Sequence, residues 1–365
     1  MMDISKIHKA FLSLLHSGLW DYENKEISIF PLTDTEWKIL YRLSREQTVT
    51  GLIFAGIQKL PENIQPKENL LVRWIVAVDA IERSNLKMNS VLVELCEMFK
   101  KAGINPVLLK GQGIASLYKN PLLRECGDID FYFPTEKDFI SAKNCIHREG
   151  IRTENKADES MFYFWKGVKV EHHKRMFDLF TSRSIRYSKE LEKRYDVRPI
   201  SLCENYDFKI DVPHPVLNII QQSTHILKHA VGLGIGLRQF CDLAISYYTW
   251  YDELADDNIR RIHCELGLEK WYSLELSFLE KHIRLSGQYL PCNNRKISPD
   301  ILYHIVWSGG NFGQNAIKNG EVSDSFVLRK MHTAWSFYKN ISFAYKIAPK
   351  EAFGLFIYLI KGQLK

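Results

Sequence analysis

The sequence contains no CxxC pair. Its seven cysteines are scattered at Cys96, Cys126, Cys145, Cys203, Cys241, Cys264 and Cys292, which excludes a zinc ribbon or a thioredoxin-like redox site. An odd, dispersed set fits the reduced thiols of a cytoplasmic protein. HExxH is also missing. His225 and His229 stand four apart on an expected helix, yet without that motif zincin chemistry is excluded. No apolar run approaches the roughly 20 residues that a bilayer span needs. The longest near the end, Ala352 to Ile360, precedes Lys361 and Lys365 and is expected to be a terminal helix packed on its own domain. The opening MMDISKIHKAFLSLLHSG lacks the basic segment, apolar core and small-residue cleavage site of a secretory leader, so none is expected. There is no internal repeat, low-complexity tract or Pro/Gly/Ser linker. Gly232-Leu-Gly-Ile-Gly236 resembles a dinucleotide loop only in its glycines. Without a preceding strand it is read as a connection between helices.

What is present is aromatic-rich: 8 Trp, 17 Tyr and 20 Phe among 365 residues, with 45% hydrophobic and 25% charged. That is enough for two domains with a sizeable core. The formal charge of +6 suits an anionic small substrate. The lack of basic clusters argues against long nucleic acid.

Periodicity divides the chain into three. Residues 1–101 read as a helical N-terminal region, with helices over Ile4–Leu15, Thr33–Leu43 (capped by Thr33 or Asp34), Leu52–Leu60 and Leu70–Lys101. Residues 102–213 read as a compact α/β core. Asn105–Leu109 is a buried strand, Lys110–Gly113 a tight turn, Ile114–Tyr118 a helix start and Asp128–Phe133 a strand. Helix Glu136–Arg148 follows. Strands Met161–Trp165 and Val168–His172 are joined by Lys166-Gly167, a plausible hairpin turn. The aromatic run Met161–Trp165 is read as core packing with one face outward. Residues 214–365 read as a helical C-terminal region, interrupted by a polar loop around Gly309–Gly320. The expected class is α+β, a small mixed sheet flanked by helical regions.

The chemistry concentrates in VLLKGQGIASLYKNPLLRECGDIDFYF, Val107 to Phe133. On a strand, Asp128 and Asp130 would share a face, with Ile129 turned into the core. Adjacent carboxylates repel unless a cation lies between them, and oxygen ligands of this kind suit Mg²⁺ or Mn²⁺. Upstream, a strand runs through a glycine turn into a helix, an arrangement that can hold phosphate, with Lys110 adding positive charge. Arg124 would either contact phosphate or pin the acidic strand.

Strand, glycine turn, helix, then a strand bearing acid–apolar–acid resembles the signature of the DNA polymerase β-like nucleotidyltransferase superfamily. More narrowly, Lys110-Gly111, Leu117-Tyr118, Pro121, Arg124 and Asp128-Ile129-Asp130 look like an uncharacterised bacterial nucleotidyltransferase family, and His225, Arg238 and Asp242 fit its pattern too. The resemblance implies transfer of a nucleoside monophosphate from an NTP such as ATP to an acceptor, with release of pyrophosphate by a two-metal mechanism. It implies that Asp128, Asp130 and a third carboxylate hold Mg²⁺ or Mn²⁺. Glu171 in Val170-Glu171-His172 is the expected third acid by position, with Asp211 in Ile210-Asp211-Val212 as its rival. His172 or His173 would stand behind the ligands. Lys110, Arg124 and either Gly111 or Gly113 would serve the phosphates. Two readings of another kind stay open: a non-catalytic nucleotide-binding or regulatory protein, and a toxin–antitoxin-type component acting through a protein partner.

Overall fold

The computed structural model describes residues 4–156, 159–202, 208–232, 234–254, 256–291, 297–309 and 341–363. Most of the expected polar loop Gly309–Gly320 lies outside these, as do Cys203 and Cys292. Four helices come first: α1 (Ile4–Trp20), α2 (Asp34–Glu46), α3 (Thr50–Ile57) and α4 (Glu68–Lys101). Thr33 caps α2 in a reciprocal capping box with Glu36. Helices α1 and α3 cross on glycine. A Cβ added at Gly18 would sit 1.9 Å from the Leu52 carbonyl oxygen, and one at Gly56 would sit 2.1 Å from that of Leu14. Only a residue without a side chain permits this approach.

The α/β unit follows: β1 (Val107–Leu109), α5 (Gly111–Ala115), β2 (Ile129–Tyr132), α6 (Glu136–Arg148), β3 (Glu154–Asn155), β4 (Met161–Trp165), β5 (Val168–His173), α7 (Ser182–Arg194), β6 (Arg198–Ser201) and β7 (Lys209–Val212). The strands form one mixed sheet in the order β3-β4-β5-β2-β1-β7-β6. β2 lies antiparallel to β1 and parallel to β5, and β1 lies parallel to β7. Between β4 and β5, Lys166 and Gly167 both take positive φ, 49° and 78°, as a tight two-residue hairpin turn requires. On β4, Met161, Tyr163 and Trp165 are buried and Phe164 faces outward.

Helices α8 (Pro215–Val231), α9 (Leu237–Thr249), α10 (Asp256–Glu265), α11 (Glu269–Phe278) and α12 (Asp300–Gly309) follow, and a final helix runs over Pro349–Gln363. Two apolar cores result. One joins α1–α3 to α8, α9 and α11, taking in Trp37, Trp74, Phe240 and Trp271. The other fills the opposite side of the sheet, where Phe99 of α4 and Phe139 of α6 meet Phe131, Phe133 and Val170. The first half of α4 serves one core and its second half the other. The sheet therefore has one face closed by α4 and α6. The side chains of the candidate site lie elsewhere on it, toward α8 and α9.

Candidate active site

Strand alternation sorts the chemistry. On β5, Val168, Val170 and His172 enter the core, while Lys169, Glu171 and His173 point the other way into a cavity. On β2, Ile129 and Phe131 are core residues and Asp130 faces the cavity. The parallel register places Asp130 directly beside Glu171 and Leu109 of β1 opposite Asp130. Asp130 and Glu171 are nearly buried, at 7% and 5% exposure. Asp128 lies just before β2, and its side chain is 35% exposed.

A built electrostatic network holds these acids. His173 Nε2 is 2.7 Å from Asp130 Oδ1 and 3.7 Å from Glu171 Oε2. Lys110 Nζ approaches Asp130 Oδ2 at 3.8 Å. Lys169 bridges Asp128 (3.4 Å) and Glu171, and Lys156 also pairs with Glu171. The lysines are steered by Phe162, whose ring lies 5.6 Å from Lys169 Nζ and 5.8 Å from Lys156 Nζ. Burial would raise the Asp130 carboxyl, but the Lys110 ammonium and the bond to His173 outweigh it and hold it far below the usual carboxylate range. Burial and then the charges of Asp130 and Glu171 push Asp128 up. Burial and Asp130 also push at Glu171, yet Lys156 and Lys169 bring it below its ordinary value. Three acids in one site thus differ in how readily they ionise.

The cavity holds about 610 Å³, within the usual range for small-molecule sites. Its floor is Lys110, Asp128, Asp130, Glu171 and His173. Its far wall is Gln221, Gln222, His225 and His229 of α8, with Arg238 and Asp242 of α9. On that wall Asp178 accepts from His225 Nδ1 (2.8 Å) and pairs with Lys228 (2.7 Å). Burial opposes the Asp178 charge, but Lys228 and His225 prevail and keep it ionised. An ionised carboxylate only accepts, so His225 carries its proton on Nδ1 and its Nε2 is a base. Burial lowers the His225 imidazole to about 4.

Glu171 is brought beside Asp130. Asp211 is not: it lies on β7, beyond β1, paired with Val107 and outside the cavity lining. Arg124 lies in the cavity wall, but its guanidinium is engaged. Nε and Nη2 donate to the two oxygens of Asp242 at 2.8 and 2.7 Å, and Nη1 donates to Cys126 Sγ at 2.9 Å. Of the two roles expected for Arg124, the geometry fits pinning the approach to the acidic strand. The helix after β1 begins at Gly111, three residues before the expected Ile114, because Lys110 takes φ 50° and ψ −137° and turns the chain at once. Gly111, at φ 42°, borders the cavity. Gly113 packs instead toward Val212 and lines a neighbouring pocket. His172 is a core residue bonded to the Tyr163 hydroxyl at 2.9 Å, so of the adjacent pair only His173 faces the cavity. His225 and His229 form an edge-on ring pair at 4.5 Å.

Asp178, Lys156 and Lys169 line the cavity and were not singled out from the sequence. Asp178 sits in Phe177-Asp178-Leu179, an apolar–acid–apolar pattern of the kind that marks Asp211. Lys169 shares the strand parity of Glu171, a sign that was readable. Among the described residues, Asp130, Glu171 and His173 form a group whose ligand atoms lie within 4.8 Å of one another, a donor set able to hold a metal ion. Among the described residues, no helix is long and apolar enough to cross a membrane. No curated protein and no solved structure matches the chain. A family match does exist, and it spans the sheet, the cavity and both helices of its far wall: over residues 33–283 the chain belongs to a nucleotidyltransferase family described as uncharacterised.

Proposed function

We propose that the cavity transfers a nucleoside monophosphate from an NTP to an acceptor hydroxyl, on a fold of the DNA polymerase β-like kind. The observation that carries this reading is Asp130 beside Glu171 on parallel strands at the floor of a cavity lined by Lys110, Lys156, Lys169, Lys228 and Arg238. Paired carboxylates suit a divalent cation, and the lysines that pair with them suit a polyanion once such a cation takes their place. A triphosphate with its divalent ion satisfies both. Asp128, Asp130 and Glu171 would hold Mg²⁺ or Mn²⁺, which when bound neutralises triphosphate charge and lowers the barrier to displacement.

The protein's own groups orient the reaction. Lys110 and Gly111, at the turn after β1, would meet the phosphates. Lys169 and Lys156 would balance charge on the departing pyrophosphate. Asp178 holds His225 with Nε2 free to take the acceptor proton. The acceptor oxygen forms a bond to the α-phosphorus, and the bond from that phosphorus to the bridging oxygen breaks. Pyrophosphate leaves with the electron pair. The unbroken set of acids argues against a non-catalytic regulator.

Calorimetry with each NTP and Mg²⁺ tests this reading. Wild type should bind at least one NTP in a metal-dependent way, and the Asp128→Ala/Asp130→Ala variant should lose that binding. A folded wild type that binds none of the four sinks the proposal.

A further inference from the structure

We propose that the principal metal position is formed by Asp130, Glu171 and His173, with the imidazole as a direct ligand, and that it therefore prefers a first-row transition ion such as Mn²⁺ to Mg²⁺. The inference rests on the nucleotidyltransferase reading of the cavity and departs from its all-carboxylate ligand set. Three observations lead to it.

The first is spacing. Ligands about 2.1 Å from one cation lie about 3.0 Å apart when adjacent in an octahedron and about 3.4 Å apart in a tetrahedron. His173 Nε2 lies 2.7 Å from Asp130 Oδ1 and 3.7 Å from Glu171 Oε2, and one donor atom from each residue falls within 4.8 Å of the others. Each of the two His173 contacts lies within about 0.7 Å of both spacings.

The second is backbone control. Asp130 pairs with Glu171, and His173 follows Glu171 at the next position of the same strand face. All three side chains are therefore set by sheet register rather than by loops, as a pre-organised site requires.

The third is what occupies Asp128. Its carboxylate is the most exposed of the three acids and faces Lys169, which also pairs with Glu171. An ammonium already lies between Asp128 and Glu171. The donor group that excludes Asp128 is the one that includes His173. Glu171 serves both neighbourhoods, with Oε1 toward the lysines and Oε2 toward His173.

Ligand chemistry then selects the ion. Carboxylate oxygens alone suit Mg²⁺, whereas imidazole nitrogen favours the transition ions. Mg²⁺ also keeps its water shell more stubbornly.

The experiment uses the full-length protein with Mn²⁺ alone. Electron spin echo envelope modulation of the bound ion should show nitrogen coupling from one imidazole, and His173→Asn or His173→Gln should remove it. Asp128→Asn should leave it in place. By calorimetry, Mn²⁺ should bind at least tenfold more tightly than Mg²⁺, and the His173 variants should lose at least tenfold in Mn²⁺ affinity while Mg²⁺ changes less than threefold. Bound Mn²⁺ without nitrogen coupling overturns the inference. So does coupling that survives both His173 variants, which would point to His225, and so does failure to bind Mn²⁺. A nitrogen-coupled site in a protein that binds no NTP supports the metal assignment and removes the nucleotidyltransferase reading instead.

Discussion

Arg124 and Asp242 face one another as a buried fork: two parallel hydrogen bonds of 2.8 and 2.7 Å join side chains that are 5% and 7% exposed. The pair ties the segment that leads into Asp128 to helix α9, and Tyr118 donates a third bond, 2.7 Å, to the same carboxylate. Removing one partner leaves a buried charge uncompensated, which costs about 3–5 kcal/mol. Asp242→Ala should therefore lower unfolding free energy by that amount in urea titrations. Arg124→Met/Asp242→Leu should recover most of it, because the loss comes from the orphaned charge rather than from the missing bonds. A loss below about 1 kcal/mol in Asp242→Ala would show that the guanidinium finds another partner.

A second buried network sets a pH dependence. Ser223 donates to Glu275 at 2.8 Å and meets His263 at 3.0 Å, with all three residues enclosed. His263 Nδ1 meets the Ile259 carbonyl rather than a carboxylate, and the three residues are buried in the helical core, outside the lining of the candidate cavity. Burial raises the Glu275 carboxyl to about 8. The native state keeps this proton where the unfolded chain has released it, so stability falls as pH rises from the ordinary carboxyl value toward 8, by up to about 1.4 kcal/mol per unit. His263 acts in the opposite sense. Burial lowers it to about 4, so its contribution is lost as pH falls from 6.5 toward 4. Between pH 6.5 and 8 the Glu275 effect stands without that opposition. Urea midpoints over this window should decline in wild type and stay flatter in Glu275→Gln. Equal slopes in the two proteins would show that Glu275 is ionised when folded.

Gly56 offers a steric test. A methyl there meets the Leu14 carbonyl oxygen at 2.1 Å and its carbon at 2.8 Å, and backbone cannot swing aside as a side chain can. Gly56→Ala should cost at least about 1–3 kcal/mol as α1 and α3 are forced apart. Gly150→Ala meets nothing within 4 Å but stands at φ 75°, so it reports backbone strain alone and should cost less. Thermal melts of the two variants order the effects.

Much of the fold was readable because its strongest signals are local. The alternation in Asp128–Phe133 and Val168–His172, the two-residue turn at Lys166-Gly167 and the Thr33 cap each depend on neighbours in sequence. Strands β3 and β6 and helix α7 were not read: β3 has two exposed residues, β6 alternates only weakly and α7 is almost wholly polar. At the site, the acid–apolar–acid spacing announced Asp130. The partners that define its chemistry are remote: Asp242 is 118 residues from Arg124, and His225 is 47 from Asp178. Sheet register and helix packing bring such pairs together, and no spacing encodes them. His173 shares the strand parity of Glu171 and His172 does not, and the pairing of β5 with β2 shows which parity faces the cavity.

The third carboxylate gives the sharpest functional comparison. Glu171 and Asp211 occupy similar apolar–acid settings, but Glu171 lies at the cavity floor one strand from Asp130, while Asp211 lies across β1 on β7. Glu171→Gln keeps the shape and the acceptor oxygen while deleting the charge that Lys156 and Lys169 balance. If Glu171 helps hold the divalent ion, that substitution should reduce pyrophosphate release at least a hundredfold. Asp211→Asn removes a charge that touches neither the cavity nor the other acids, and activity should stay within threefold. The reverse ranking would move the site to the other side of β1. Equal, small losses would show that Asp128 and Asp130 suffice without a third acid.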